Sequence, residues 1–298
     1  MRAIVLAILL YGQGADFRAE KKLTRVPVRV SDAAGQPLNG LAAEDFSIDD
    51  NGIKLKADSV GQEELPLDLV LLLDVSHSMR SSLRLLASTS QEALSALRTG
   101  DRVAVFTFAG DVRVDLPMTD RFDEVTRSLD SIALGKSRPA TALFQPIFAA
   151  AEYLRSSGQP GRRRAILMIS DAEGYRAKSE KATLNALWEA DASVYLLRTV
   201  EPKFVKALRY TSASGFLASA NVPSLVEKTG GETLQLRQYG FGEMLRRIRA
   251  QYSVYFSPAE GTGNKTEKRK VAVTLSDAAR AKWPGAKALG RKEYSLRP

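Results

Sequence analysis

Apolar positions change period twice along the chain. Residues 24–62 form short alternating runs broken by polar residues at 32–35 and by Asn51-Gly52, a strong hairpin signal that predicts a small β-rich unit over 22–65. At Leu67 the alternation stops. The runs 67–73 and 165–170 are mostly branched aliphatic side chains without a polar face, the pattern of strands buried on both sides of a parallel sheet. Further strands are predicted at 103–108, 112–116, 193–197 and 233–236. Between them, Leu83, Leu86, Leu94 and Leu97 mark a helix ended by Gly100, and Leu143, Ile147, Ala151 and Leu154 mark a second ended near Gly158. The two strands flanking Gly110-Asp111 are too close for a helical crossover and must pair antiparallel. The expected fold class is therefore α/β, a doubly wound, mostly parallel, Rossmann-like sheet.

After Phe256 the alternation returns at Val271, Val273 and Leu275, with a last short strand at 294–296. These strands are expected to pack with residues 24–62, so that the α/β segment 66–256 is inserted in a small accessory β-domain completed by 257–298. Two separate β-units are the alternative. Residues 1–15 begin with Met1-Arg2, continue through an apolar stretch and end in Gly12-Gln13-Gly14-Ala15, which reads as a signal peptide and predicts a secreted or periplasmic protein. The apolar stretch is too short to span a bilayer, and a buried N-terminal strand is the competing reading. No other segment is suited to crossing a membrane.

Composition narrows the chemistry. With 298 residues and 44% hydrophobic side chains, the chain can bury a full core and a smaller second one. The absence of cysteine excludes disulfides, thiolate metal sites and thiol nucleophiles, without fixing the compartment. A formal charge of +9 invites a nucleic-acid reading. However, the basic residues are dispersed, and the dense groups Arg162-Arg163-Arg164 and 265–270 precede strands, where solvated turns are expected. No nucleic-acid partner is expected.

Candidate chemistry sits at two strand ends, the edge where open α/β sheets bind ligands. Residues spaced by two along an extended segment can point the same way, so Asp74, Ser76 and Ser78 of Asp74-Val75-Ser76-His77-Ser78 can converge. Asp171, ending the 165–170 run, and Thr141, at a helix start, can complete a set of two carboxylates and three hydroxyls. Such oxygen donors suit Mg²⁺, and Mn²⁺ or Ca²⁺ also accept them. Taken singly, Ser76, Ser78 and Thr141 would read as helix caps; their co-occurrence with Asp74 and Asp171 favours a metal. His77, the sole histidine, should face away from that point by the same alternation. A serine hydrolase lacks a separate base and the Gly-x-Ser-x-Gly elbow, and 261–266 precedes a strand, where a phosphate loop leads into a helix. No catalytic residue is assigned, and the protein is not expected to be an enzyme.

Together, Asp74-Val75-Ser76-His77-Ser78-Met79, Thr141-Ala142-Leu143 and Ile169-Ser170-Asp171 resemble the metal-ion-dependent adhesion site (MIDAS) of von Willebrand factor A (VWA) domains. The string Pro223-Ser224-Leu225-Val226-Glu227-Lys228-Thr229-Gly230-Gly231 is similar to that family's last helix and turn. Both flanks resemble the bacterial VWFA-related domain proteins, through Val28-Arg29-Val30-Ser31-Asp32, Asp45-Phe46 and Asp50-Asn51-Gly52, and through Gln251-Tyr252-Ser253-Val254-Tyr255-Phe256-Ser257-Pro258. The chain departs from the family at His77, where glycine is usual, and at Ala172, where glycine often follows the last aspartate. The resemblance implies that Ser76, Ser78 and Thr141 contact Mg²⁺ directly while Asp74 and Asp171 act through water. A partner protein's Asp or Glu then completes the coordination, as in adhesion-type protein–protein interaction. Arg80, Lys136, Arg138, Arg176, Arg198 and Lys203 fall on loops of the same edge and would steer an acidic ligand, although ordinary surface charge explains them as well. The segment 199–221 is either a specificity loop or a packed connection. The alternatives are a metal-independent scaffold and a metal-assisted hydrolase.

Overall fold

The computed structural model describes residues 23–62, 65–138, 142–199, 220–258 and 268–295. Four strands come first: β1 (Thr24–Ser31), β2 (Phe46–Asp50), β3 (Ile53–Lys56) and β4 (Ser59–Gln62). β2 and β3 form a hairpin in which Asp50 pairs with Ile53. The intervening Asn51 and Gly52 take φ values of 53° and 90°, the left-handed pair that a two-residue turn of this kind requires.

The chain then builds a six-stranded sheet from β5 (Leu67–Asp74), β6 (Arg102–Phe108), β7 (Val112–Thr119), β8 (Arg163–Ser170), β9 (Ala192–Arg198) and β10 (Thr233–Gln235). Its order is β10-β9-β8-β5-β6-β7, parallel except for the β6–β7 pair. This is the doubly wound α/β arrangement that the apolar pattern predicts. Among the described residues seven helices cover it: α1 (Arg80–Ser88), α2 (Ser90–Leu94), α3 (Phe122–Leu134), α4 (Phe144–Ser157), α5 (Glu180–Ala190), α6 (Val222–Lys228) and α7 (Leu236–Arg249). All eight residues of β5 are buried. Leu67, Leu69, Leu71 and Leu73 join the core shared with α1, α2, α3 and α7, while Val70 and Leu72 join the core shared with α4, α5 and α6.

The structure corrects three local expectations. The single helix expected across Leu83 to Leu97 is two, because the Thr89 and Ser90 hydroxyls bond back to the carbonyls of Leu85 and Ala87 at 3.0 and 2.8 Å and break the ladder between α1 and α2. The string ending in Gly230-Gly231 is not the last helix and turn, since α7 follows it. The Arg162-Arg163-Arg164 cluster is not a solvated turn. Arg162 and Arg102 clamp the fully buried Asp68 at 2.6 and 2.7 Å, and Arg163 donates to the carbonyls of Ile248 and Arg249 at the end of α7. Burial pushes the Arg163 guanidinium down to about 10, so it stays charged at neutral pH.

The chain closes with β11 (Tyr252–Phe256), β12 (Lys268–Leu275), a short helix α8 (Asp277–Lys282), β13 (Lys287–Gly290) and β14 (Glu293–Ser295). Strands from both flanks interleave in two antiparallel sheets, β13-β1-β11-β4 and β14-β12-β2-β3. Residues of both sheets, among them Val26, Ile48, Val254 and Val273, share one core. A division at 256/257 assigns β11 to the α/β segment; its hydrogen bonds run instead to β1 and β4.

An ionic seam fastens this accessory unit to the N-terminal edge of the parallel strands. Arg25 and Arg291 pair with Asp191, Arg29 and Arg247 pair with Glu232, and Arg247 also donates to the Gly35 carbonyl at 2.8 Å. Gly230 allows the close approach, and Gly231 seats its own segment against β9. A Cβ at Gly231 would lie 1.7 Å from the Val194 carbonyl oxygen, and one at Gly230, whose φ is +78°, would lie 2.8 Å from the Arg291 nitrogen. The C-terminal edge of the sheet, where β5 and β8 end side by side, is left uncovered by this unit.

Candidate functional site

At that edge β5 ends in Asp74 and its parallel neighbour β8 ends in Ser170, in a register that pairs Leu73 with Ile169. Asp74 is fully buried. Its Oδ1 accepts the Ser76 N–H at 2.9 Å and its Oδ2 accepts the Ser170 hydroxyl at 2.6 Å. Burial pushes the Asp74 carboxyl above its ordinary value against the pull of these hydrogen bonds, and the nearby Asp171 charge pushes the same way. Ser170 reads in the sequence only as the end of a strand. Its role depends on which strand lies beside β5; the sole local signal is a hydroxyl closing an aliphatic run.

Past Asp74 the backbone stays extended to Ser76 (φ −65°, ψ 165°) and then makes one 3-10 turn, His77–Met79. Ser76 occupies the capping position of that turn, yet its side chain makes no capping bond. The Ser76 and Ser78 Oγ atoms lie 3.2 Å apart instead, and Ser78 Oγ donates to Asp171 Oδ2 at 2.6 Å. Asp171 Oδ1 accepts the Glu173 N–H at 3.0 Å, and the Asp171 carbonyl accepts from Arg198 Nε at 3.1 Å. Asp74, Ser76, Ser78 and Asp171 therefore form one connected cluster. Thr141 and Lys203 lie outside the described residues. The residue after Thr141, Ala142, donates to the Ala109 carbonyl at 3.1 Å, beside the end of β6.

The donor chemistry suits a hard cation. Two ligands in adjacent positions of an octahedron at about 2.1 Å from Mg²⁺ are separated by about 3.0 Å, close to the 3.2 Å between the two serine oxygens. Among the described residues no group of three or more His, Cys, Asp or Glu comes together as a metal cluster, so any ion here would rely on hydroxyls.

Residues 69–173, which include Asp74, Ser76, Ser78, Thr141, Ser170 and Asp171, match the family model of the von Willebrand factor type A domain. Over that segment the chain is similar to VWA domains. Among solved structures the chain is similar to an aerotolerance-related membrane protein from Bacteroides fragilis NCTC 9343, with 20% identity over 61% of this chain and 96% of that one, at a TM-score of 0.46. It is also similar to the conserved hypothetical protein BatB from Bacteroides thetaiotaomicron, with 21% identity over 61% and 97% of the two chains and a TM-score of 0.44. A von Willebrand factor type A structure from Catenulispora acidiphila covers 94% of this chain and 74% of its own, at 12% identity and a TM-score of 0.45. No curated protein matches the chain. No helix among the described residues is long and apolar enough to cross a membrane.

Both departures from the VWA pattern have a structural counterpart. Ala172, where glycine often stands, adopts a left-handed φ of 57°, which costs an alanine about 1–2 kcal/mol; its N–H is held by the Ser170 hydroxyl at 2.9 Å. His77 is exposed and its Nδ1 lies 3.2 Å from the Arg138 carbonyl oxygen, so the ring is engaged by the 138 loop rather than by the serine hydroxyls. The rim cations are not equivalent. Arg138 pairs with Asp111 at 2.5 Å, and Arg198 is tied to the Asp171 backbone. Arg176 is half-buried, and its carbonyl accepts the Phe144 N–H that starts α4. Arg80 and Lys136 are exposed and border a groove that also includes Ser76.

Proposed function

We propose that this VWA-like domain is a divalent-metal-dependent protein-binding module of the adhesion type. The observation that carries this reading is the convergence of the Ser76 and Ser78 hydroxyls with Asp171 within 2.6–3.2 Å at the open edge of the sheet, none of them used to cap a helix through its side chain. Ser76 and Ser78 would offer neutral oxygens, joined by Thr141. Asp74, locked by Ser170 and the Ser76 N–H, and Asp171 would hold the outer positions through water. When bound, Mg²⁺ (or Mn²⁺ or Ca²⁺) supplies a positive centre with positions open to a foreign carboxylate. The partner is accordingly a protein presenting Asp or Glu, with no nucleic acid and no catalysis involved, met outside the cytoplasm if residues 1–15 are a signal peptide.

Isothermal titration with Mg²⁺ tests the first half. Wild-type protein should bind one ion, and Ser78→Ala and Asp171→Ala should each weaken it at least tenfold. Retention of partners from the native host's exported proteins should then be lost in EDTA. One observation favours a second reading, a scaffold indifferent to metal: the Ser78–Asp171 hydrogen bond and the Asp74–Ser170 pair satisfy the site without any ion. Partner retention unchanged by EDTA and by Asp74→Ala would establish that reading instead.

A further inference from the structure

Two cations of the rim stand apart from the others. Arg138 and Arg113 each take one oxygen of the Asp111 carboxylate, at 2.5 and 3.0 Å, and Arg198 is held at the Asp171 carbonyl. Arg80 and Lys136 are exposed, and among the described residues no carboxylate pairs with either. They come from different elements, the start of α1 and the turn after α3, yet they meet. The Arg80 guanidinium donates to the hydroxyl of Ser137, the residue after Lys136, at 3.2 Å. The turn itself runs beside the serines: Arg138 forms a parallel bridge with Ser76, and its N–H reaches the Val75 carbonyl at 3.1 Å. Lys136 is two residues back from that bridge, at most about 7 Å along the chain. Arg80, Lys136 and Ser76 border one notch with room for about a single water, and no carboxylate lines it. The notch is too shallow to receive a side chain; what it offers is positive charge at its mouth. Two cations held together without an acid repel each other, and a ligand's carboxylate across the mouth would relieve that repulsion.

We infer that Arg80 and Lys136 form a subsite for a second carboxylate of the partner protein, two residues from the one that reaches the metal. This inference rests on the metal-dependent reading above. An extended segment places residues i and i+2 on the same side, about 6.5–7 Å apart, which matches the reach from the Ser76 bridge to Lys136. One such segment can therefore present one acid at Ser76 and the next between the two cations. The second acid falls on the α1–α3 side of the serines, because on the β6–β7 side Asp111 already holds the arginines and would repel it. The partner's binding segment is accordingly an Asp/Glu-x-Asp/Glu pattern, not a lone acid.

The experiment is to pan a random heptapeptide display library on the immobilised full chain in Mg²⁺ at low salt and to elute with EDTA. The expected eluate carries two acids spaced by two positions. The best synthetic peptide should bind about two- to fivefold more weakly to Arg80→Gln and to Lys136→Gln, the loss of one exposed ion pair, and the difference should shrink in high salt. Arg113→Gln removes the same charge outside the notch and should change the affinity little. Mg²⁺ alone should bind Lys136→Gln no more weakly than wild type, since a neighbouring cation repels the ion; a variant that merely disturbed the serines would lose Mg²⁺ as well. Lys136 lies outside the helices, so its variant remains informative if Arg80→Gln disturbs the start of α1. EDTA-eluted peptides with a single acid, or equal losses in all three variants, would overturn the subsite and leave the metal reading intact. Absence of any EDTA-eluted peptide would overturn both.

Discussion

Ser170→Ala is the substitution that most directly tests how the candidate site is held. The buried Ser170 hydroxyl donates to Asp74 Oδ2 at 2.6 Å and accepts the N–H of the left-handed, partly buried Ala172 at 2.9 Å. A hydrogen bond to a charged group contributes about 1.5–3 kcal/mol, so the variant should lose about 2–3 kcal/mol with the Ala172 bond included. For a unit of this size that is a fall in Tm of roughly 5–10 °C. Asp74 would then be fixed through Oδ1 alone, and Mg²⁺ affinity should drop about 30-fold, the equivalent of 2 kcal/mol and within the range for second-layer metal partners. Urea unfolding in EDTA of wild type, Ser170→Ala, Asp74→Ala and the double variant measures the coupling, expected at about 1.5–2 kcal/mol. A coupling below about 0.5 kcal/mol, or a Ser170→Ala protein that binds Mg²⁺ more tightly because Asp74 is freed, refutes the claim that Ser170 orients Asp74 for the ion.

Three further outcomes follow from the same contacts. Asp101→Ala should cost about 3–5 kcal/mol in urea melts, since buried Asp101 accepts from Leu67 N, Arg98 N and Arg249 Nη1 at 2.8, 2.9 and 3.1 Å; a loss under 1 kcal/mol would show that Arg249 is held by other contacts. Gly231→Ala should yield little folded protein by circular dichroism, because its Cβ would overlap the Val194 carbonyl, and a native melt would refute the close approach. Burial raises the Asp74 carboxyl above 3.8, so the folded chain holds that proton more tightly than the unfolded one. The stabilising contribution of this group in EDTA is then present at low pH and lost as pH rises through the raised value. Mg²⁺ requires the carboxylate, so its affinity should fall on acidification with a midpoint above 3.8 in calorimetric titrations; a midpoint at or below that value counts against burial as the dominant influence.

What the sequence exposes is what lies within one segment. The strand β5 is legible because each of its eight residues is buried, and the Asp74, Ser76, Ser78 trio is legible because a period of two puts its members on one side. Helix α3 buries only Val125 and Leu129, and α7 is interrupted at Gly240, whose φ is 74°; neither gives a long clean stripe. Ser170 meets Asp74 across a strand register, and β1 meets β11 across more than two hundred residues, contacts with no local signature. The rim illustrates the same limit. Six cations can be counted on the loops, but only the fold reveals that Arg138 is engaged by Asp111 and Arg198 by the Asp171 carbonyl.

The two ends of the parallel strands differ in a way that bears on the proposed use of the site. At the N-terminal edge, arginines and carboxylates are matched in the seam with the accessory sheets, as in Arg25–Asp191 and Arg29–Glu232. At the C-terminal edge two carboxylates stand among hydroxyls, and each already accepts hydrogen bonds from the chain: Asp74 on both oxygens, Asp171 from Glu173 N and Ser78. Carboxylates so engaged donate less negative charge to an ion than free ones. A third acid in the cluster would neutralise a divalent cation and remove the attraction for a partner's carboxylate; among the described residues none joins it. Under the proposed metal-dependent reading, this shortage of negative charge, more than the presence of any single ligand, would make a foreign Asp or Glu the favoured completion of the site.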